Sequence, residues 1–130
     1  MYILNLEDDV CKHHKICTAL KNGGLGIVTI DRAKNLEDGI ELIKTKNQQN
    51  QPYDLIITDM WYPEKDGGEE IKSGEKLIQT VKDNGWNIPI ILCSSVSYRI
   101  PEILGVVHYS ENGKWETSMT SLIKNLENNH

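Results

Sequence analysis

Asp54-Leu55-Ile56-Ile57-Thr58-Asp59 holds four consecutive β-favouring residues between two carboxylates, with Pro52-Tyr53 leading in and Met60-Trp61-Tyr62-Pro63 leading out. A short apolar run bounded by breakers reads as a strand buried on both faces. The same design occurs twice more. Ile3-Leu4-Asn5-Leu6 runs into Glu7-Asp8-Asp9, and Ile90-Ile91-Leu92-Cys93 runs into Ser94-Ser95. Each apolar run therefore delivers a polar, reactive group at its carboxyl end. Helical patterns separate the runs, so the strands are expected to lie parallel in one α/β sheet. In such sheets ligands sit beyond the carboxyl ends of the strands, where Glu7, Asp8, Asp59 and Ser94 would converge.

Between these runs the remaining pattern fills in. Val10, Ile16, Cys17 and Leu20 give a helical stripe from about Asp9 to Lys21, closed by Asn22-Gly23-Gly24. Ile27-Val28-Thr29-Ile30 reads as the second strand, ended by Asp31. Leu36, Ile40 and Ile43 mark a helix to about Lys46, and 47–51 is a polar loop. Pro63 to Gly68 is a loop of breakers; Leu77, Ile78 and Val81 mark a third helix capped by Asn84-Gly85, and Ile88-Pro89 opens the fourth strand. Pro101 leaves room only for a short helix, Pro101 to Leu104, before a strand at Val106 to Tyr109. Trp115, Met119, Leu122, Ile123 and Leu126 give a final amphipathic helix, with Trp115 expected in the core. The expectation is one domain over residues 1–130: a five-stranded parallel sheet, doubly wound as (βα)5, with a short fourth helix.

Composition narrows the function. The 130 residues suffice for a core without disulfides or a structural metal. A net charge of −5, without any Lys/Arg block, argues against nucleic acid as a partner. Cys11, Cys17 and Cys93 are odd in number and lack Cys-x-x-Cys spacing, so they read as small buried hydrophobes in a reducing compartment. No run approaches the roughly 18 apolar residues of a membrane span, and the first residues lack a signal peptide's layout. A cytoplasmic protein without membrane contact is expected. His13 and His14, being adjacent, point to different helix faces and are expected to be solvated rather than metal-binding.

Two carboxylates about 4 Å apart repel by about 4 kcal/mol at an effective dielectric of about 20, and no basic residue beside them in sequence offers neutralisation. The cluster calls for a cation. Hard oxygen donors suit Mg²⁺, which retains waters and commonly brings phosphate oxygens with it. An aspartate carboxylate can itself attack phosphorus, and Asp59 is best placed to do so. Ser94 would hydrogen-bond a phosphoryl oxygen. This chemistry requires residues 7, 8 and 59 to share one hollow without a lysine or arginine lodged permanently among them.

Leu6-Glu7-Asp8-Asp9, Asp54 to Pro63 with Asp66-Gly67, and Ile88 to Ser95 resemble, in order, the three signatures of response-regulator receiver domains of two-component signalling, and the resemblance spans essentially the whole chain. It implies a flavodoxin-like fold and an Asp59 phosphoacceptor. Glu7 and Asp8 would be the acidic pair on Mg²⁺, with the Trp61 backbone carbonyl as a further ligand. Ser94 matches the hydroxyl position and Tyr109 the aromatic switch. The partners implied are a histidine kinase or phosphotransfer protein upstream and a protein partner downstream, with no turnover of an external substrate. Two departures stand out. The family's lysine after the strand-five aromatic is here Asn112, leaving Lys114 as a possible substitute, and residues 67–74 form an insertion before helix three.

Three other readings share these residues. A phosphorylation-independent pseudo-receiver, acting as a protein-binding module, suits the missing lysine. A haloacid-dehalogenase-type hydrolase needs Asp-x-Asp, but Trp61 stands two residues after Asp59. A flavin binder would be repelled by Glu7 and Asp8.

Overall fold

The computed structural model describes residues 1–111 and 113–128. Its elements are β1 (Tyr2–Leu6), α1 (Val10–Asn22), β2 (Thr29–Ala33), α2 (Leu36–Gln48), β3 (Leu55–Thr58), β4 (Tyr62–Pro63), β5 (Glu70–Ile71), α3 (Ser73–Asp83), β6 (Ile90–Ser94), β7 (Gly105–His108) and α4 (Trp115–Asn128). Five strands form one parallel sheet in the order β2-β1-β3-β6-β7. The chain order reverses beside β1, so the carboxyl ends of β1 and β3 flank a crevice at a topological switch point.

Strand alternation sorts the core into two layers. Leu4, Leu6 and Ile56 pack with Ile43, Leu77 and Val81 from α2 and α3, while Ile3, Leu55, Ile57 and Cys93 pack with Ile16, Leu20, Met119 and Ile123 from α1 and α4. Every residue of β3 is buried, as the unbroken apolar run requires of a central strand covered on both faces. Trp115 joins the second layer at 6% exposure, as expected.

The structure departs from the sequence reading in four places. Strand β2 begins two residues later and ends three residues later than Ile27–Ile30. Ile27 is exposed, and Asp31 and Arg32 pair inside the ladder with Leu4 and Asn5. An edge strand tolerates polar residues, and Tyr53 Oη donates to Asp31 Oδ2 at 2.7 Å. No helix forms at Pro101 to Leu104, so the described residues hold four α-helices rather than five. Pro101 and Gly105 leave too little chain for a helical turn, and the Leu104 amide instead donates to Ile90 O, leading directly into β7. The 67–74 insertion is part of a structure: β4 and β5 pair antiparallel as a two-stranded ribbon, tied to α2 by the Glu37 amide on Glu64 O. Finally, Cys11 is exposed on α1, and His13 is half-buried with Nδ1 2.7 Å from Asn5 Oδ1. Among the described residues no helix is long and apolar enough to cross a membrane.

Candidate phosphoacceptor site

Ladder hydrogen bonds continue one residue past the strands and fix the rim. The Glu7 amide donates to Ala33 O, the Asp59 amide to Leu6 O, and the Tyr109 amide to Ser94 O. Glu7, Asp8 and Asp59 consequently meet, each offering a carboxylate oxygen within 4.8 Å of the others. Asp9 stands apart from this group as the N-cap of α1, accepting the Cys11 and Lys12 amides on its side chain. The Asp9 amide in turn donates to Glu7 Oε2 at 3.2 Å.

Neutralisation is present after all, and Lys12 supplies it. Its Nζ lies 2.9 Å from Glu7 Oε1 and 3.4 Å from Asp59 Oδ1, and donates to Cys93 O at 2.8 Å. The ring of Tyr109 faces the same ammonium, its centroid 5.1 Å away. A lysine therefore lodges between Glu7 and Asp59, against the requirement that the hollow be free of one; Asp8 forms no ion pair with it. Lys12, Ile16 and Leu20 recur every fourth residue and are all buried. A lysine heading the buried stripe of a helix is the sequence signal that would have found it.

The electrostatics are strained. Burial drives the Glu7 carboxyl up to about 7; Lys12 acts against this rise and Asp59 adds to it. Burial pulls the Lys12 ammonium down, but Glu7 and Asp59 together more than offset that, and its net shift is upward. The Lys12 contact leaves Glu7 Oε1 buried without an aligned hydrogen-bond donor. Three hard carboxylate donors in reach of one another fit a divalent cation of the Mg²⁺ class.

Other groups frame the hollow. Arg32 donates through Nε to Glu7 O and through Nη2 to Asp8 O, both at 3.0 Å, clamping the turn that carries the acidic pair. Asp59 Oδ1 accepts the Met60 amide at 2.8 Å, and among the described residues Oδ2 accepts no hydrogen bond. Thr58 Oγ1 donates to Asp59 O at 2.8 Å and lies 2.9 Å from Tyr62 Oη, itself fully buried. Glu70 of β5 stands beside Asp8, and a proton shared with the Asp8 side chain, together with burial and the charges of Asp8 and Asp59, raises the Glu70 carboxyl. Sequence reasoning missed Arg32 and Glu70, since nothing local links either to the site.

The remaining predicted residues are placed as follows. Ser94 ends β6, buried, its Oγ accepting the Val96 amide at 3.3 Å; its hydroxyl proton remains available. Tyr109 packs on Trp115 with ring centroids 5.0 Å apart. Trp61 is exposed, its Nε1 donating to Tyr98 Oη. Lys114 is exposed and forms no ion pair with the cluster, whereas Lys12 does. Asn112 lies outside the described residues.

Solved structures share this architecture. The LuxR-family DNA-binding response regulator from Staphylococcus aureus matches with a TM-score of 0.68 at 16% identity, over 96% of this chain and 97% of that one. The fold is that of response-regulator receiver domains. The Mn²⁺-bound form of response regulator Rcp1 matches at 0.68 with 17% identity, over 97% of this chain and 93% of that one. The response regulatory domain of mrkE from Klebsiella pneumoniae reaches 0.71 at 13% identity, over 99% and 97%. No protein-family model and no curated protein matches the sequence.

Proposed function

We propose that the chain is a phosphoacceptor receiver domain, taking a phosphoryl group onto Asp59 from a histidine kinase or phosphotransfer protein and signalling to a downstream protein partner by conformational change. The observation that carries this reading is the Asp59 carboxylate at the sheet rim. Its side chain is 17% exposed, grouped with Glu7 and Asp8, and 3.4 Å from a buried ammonium. So costly a collection of charges, with Glu7 pushed to about 7, suits a site that works rather than one that only packs.

Asp59 would attack phosphorus through the oxygen that no hydrogen bond holds, while the Met60 amide orients the carboxylate through the other. Glu7, Asp8, Asp59 and the Trp61 carbonyl would hold Mg²⁺, which when bound screens charge on the attacking and leaving oxygens. Ser94 would donate its hydroxyl proton to the phosphoryl group, and Tyr109, packed between Lys12 and Trp115, would carry the change toward the β7–α4 surface. No turnover of an external substrate is proposed, and neither nucleic acid nor a membrane is a proposed partner. The place of action is the cytoplasm.

Acetyl phosphate with Mg²⁺ tests the reading by intact mass. The chain should gain one phosphoryl group and Asp59→Asn none, while Asp8→Asn should mainly weaken Mg²⁺ binding. Labelling of Asp59→Asn at the wild-type level would refute the assignment. The Lys12 ion pair also favours a second reading, in which the lysine permanently satisfies Asp59 and the domain binds partners without phosphorylation; absence of any mass gain in the wild type would select it.

A further inference from the structure

Asp59 acquires nearly two negative charges when phosphorylated, so the cation nearest to it decides how that charge is held. Among the described residues the only ammonium paired with Asp59 is that of Lys12. We infer that Lys12 is the phosphoryl-pairing lysine of this domain, supplied by helix α1 instead of by the segment after the fifth strand. The inference rests on the phosphoacceptor reading.

Three features make the assignment specific. Lys12 Nζ is already at the acceptor, 3.4 Å from Oδ1, so it needs only a small shift to follow an oxygen newly attached through phosphorus. It is anchored there by Cys93 O at 2.8 Å, on the strand that ends in Ser94, so lysine and hydroxyl approach the phosphoryl group from the same side of the crevice. Finally, Nζ faces the Tyr109 ring at 5.1 Å, and that ring packs on Trp115. When the ammonium turns toward a dianion, the cation–π contact with Tyr109 and the pairing with Glu7 both change. The lysine thereby links acceptor to aromatic in one step. In the transfer from acetyl phosphate, an Asp59 oxygen forms the new O–P bond, the P–O bond to acetate breaks, and acetate leaves with its electron pair. Lys12 keeps its protons throughout and acts only by charge and hydrogen bonding.

Lys12→Met keeps length and helix preference while removing the charge. A phosphoryl-pairing role predicts opposite signs for the two ligands. Mg²⁺, titrated alone, should bind several-fold tighter once a neighbouring positive charge is gone. Beryllofluoride binding and the phosphorylated fraction reached with acetyl phosphate should each fall about tenfold or more, as the loss of a buried charge-assisted contact implies. Lys12→Arg should retain part of both. The Trp115 indole resonance, which reports the Tyr109 contact, should shift on beryllofluoride addition in the wild type and not in Lys12→Met. A rise in both Mg²⁺ and beryllofluoride binding would identify Lys12 as a plug, and a parallel fall in both as a packing residue. Either outcome, or unchanged phosphorylation, overturns the assignment while leaving Asp59 as acceptor. A wild type that takes up no phosphoryl group overturns the phosphoacceptor reading and this assignment together.

Discussion

Gly74 rests against the backbone of Asp59: its amide donates to Met60 O at 2.9 Å, and a β-carbon at position 74 would overlap Asp59 O and lie 2.8 Å from Met60 Cα. The first turn of α3 is thus pressed onto the loop that follows β3, with buried Ser73 donating through Oγ to Tyr62 O beside it. The obstruction is backbone on both sides, so neither can swing away as a flexible side chain would.

Gly74→Ala should therefore destabilise the domain, although alanine is the better helix former by about 1 kcal/mol. Overpacking costs of about 1–3 kcal/mol should outweigh that gain. Urea denaturation should show the loss, and phosphorylation of Asp59 should slow because the clash falls on its own carbonyl. Unchanged stability with normal phosphorylation would show that the α3 turn can move away freely.

Arg32→Lys isolates the role of the guanidinium fork. Charge is preserved, but an ammonium cannot reproduce the planar pair of bonds to Glu7 O and Asp8 O. The variant should lose about 1 kcal/mol of stability and bind Mg²⁺ a few-fold more weakly, because the turn bearing both acidic residues is released. Calorimetric titration with Mg²⁺ measures the effect, and wild-type affinity in the variant would relegate the fork to simple surface packing.

The sheet was legible from apolar runs alone, because central strands buried on both faces must be almost continuously apolar, as 55–57 and 90–93 are. The edge strand β2 was misplaced for the same reason. Its outer edge carries no neighbouring strand, so Asp31 and Arg32 sit within it and the apolar pattern at 27–30 misleads. The carboxylates were legible because strand ends must converge. Lys12 was overlooked because charge was sought beside the carboxylates in sequence, whereas helical spacing with Ile16 and Leu20 turns it inward. Arg32 and Glu70 arrive by tertiary pairing, of β2 with β1 and of β5 with β4, which no local pattern encodes.

Glu7 gives the cluster a pH signature. Its carboxyl, ordinarily at 4.5, stands at about 7 in the fold, chiefly through burial. A raised folded-state value means the native form binds the proton more tightly than the unfolded chain does. The associated stability is fully present below about 4.5 and is lost as pH rises through about 7. The difference is on the order of 3 kcal/mol. Metal-free protein should thus lose stability relative to Glu7→Gln between pH 5 and pH 8, with thermal melts of both variants taken across that range. Mg²⁺ should recover part of the loss at the alkaline end. Parallel curves for the two proteins would mean that Glu7 is not the group responsible.

Glu70 brings a further carboxylate to Asp8 from the β4–β5 ribbon, and its raised carboxyl reflects first the hydrogen bond to Asp8. Glu70→Gln places an amide donor toward Asp8 where a second carboxylate stood and removes the repulsion, so the metal-free ribbon should become slightly more stable. The same change subtracts negative charge from the cation's surroundings. Because Glu70 is largely exposed and screened, Mg²⁺ affinity should fall only about two- to threefold, with the difference shrinking at high salt. A loss far larger than this, insensitive to salt, would make Glu70 a direct ligand and the ribbon an integral wall of the metal site.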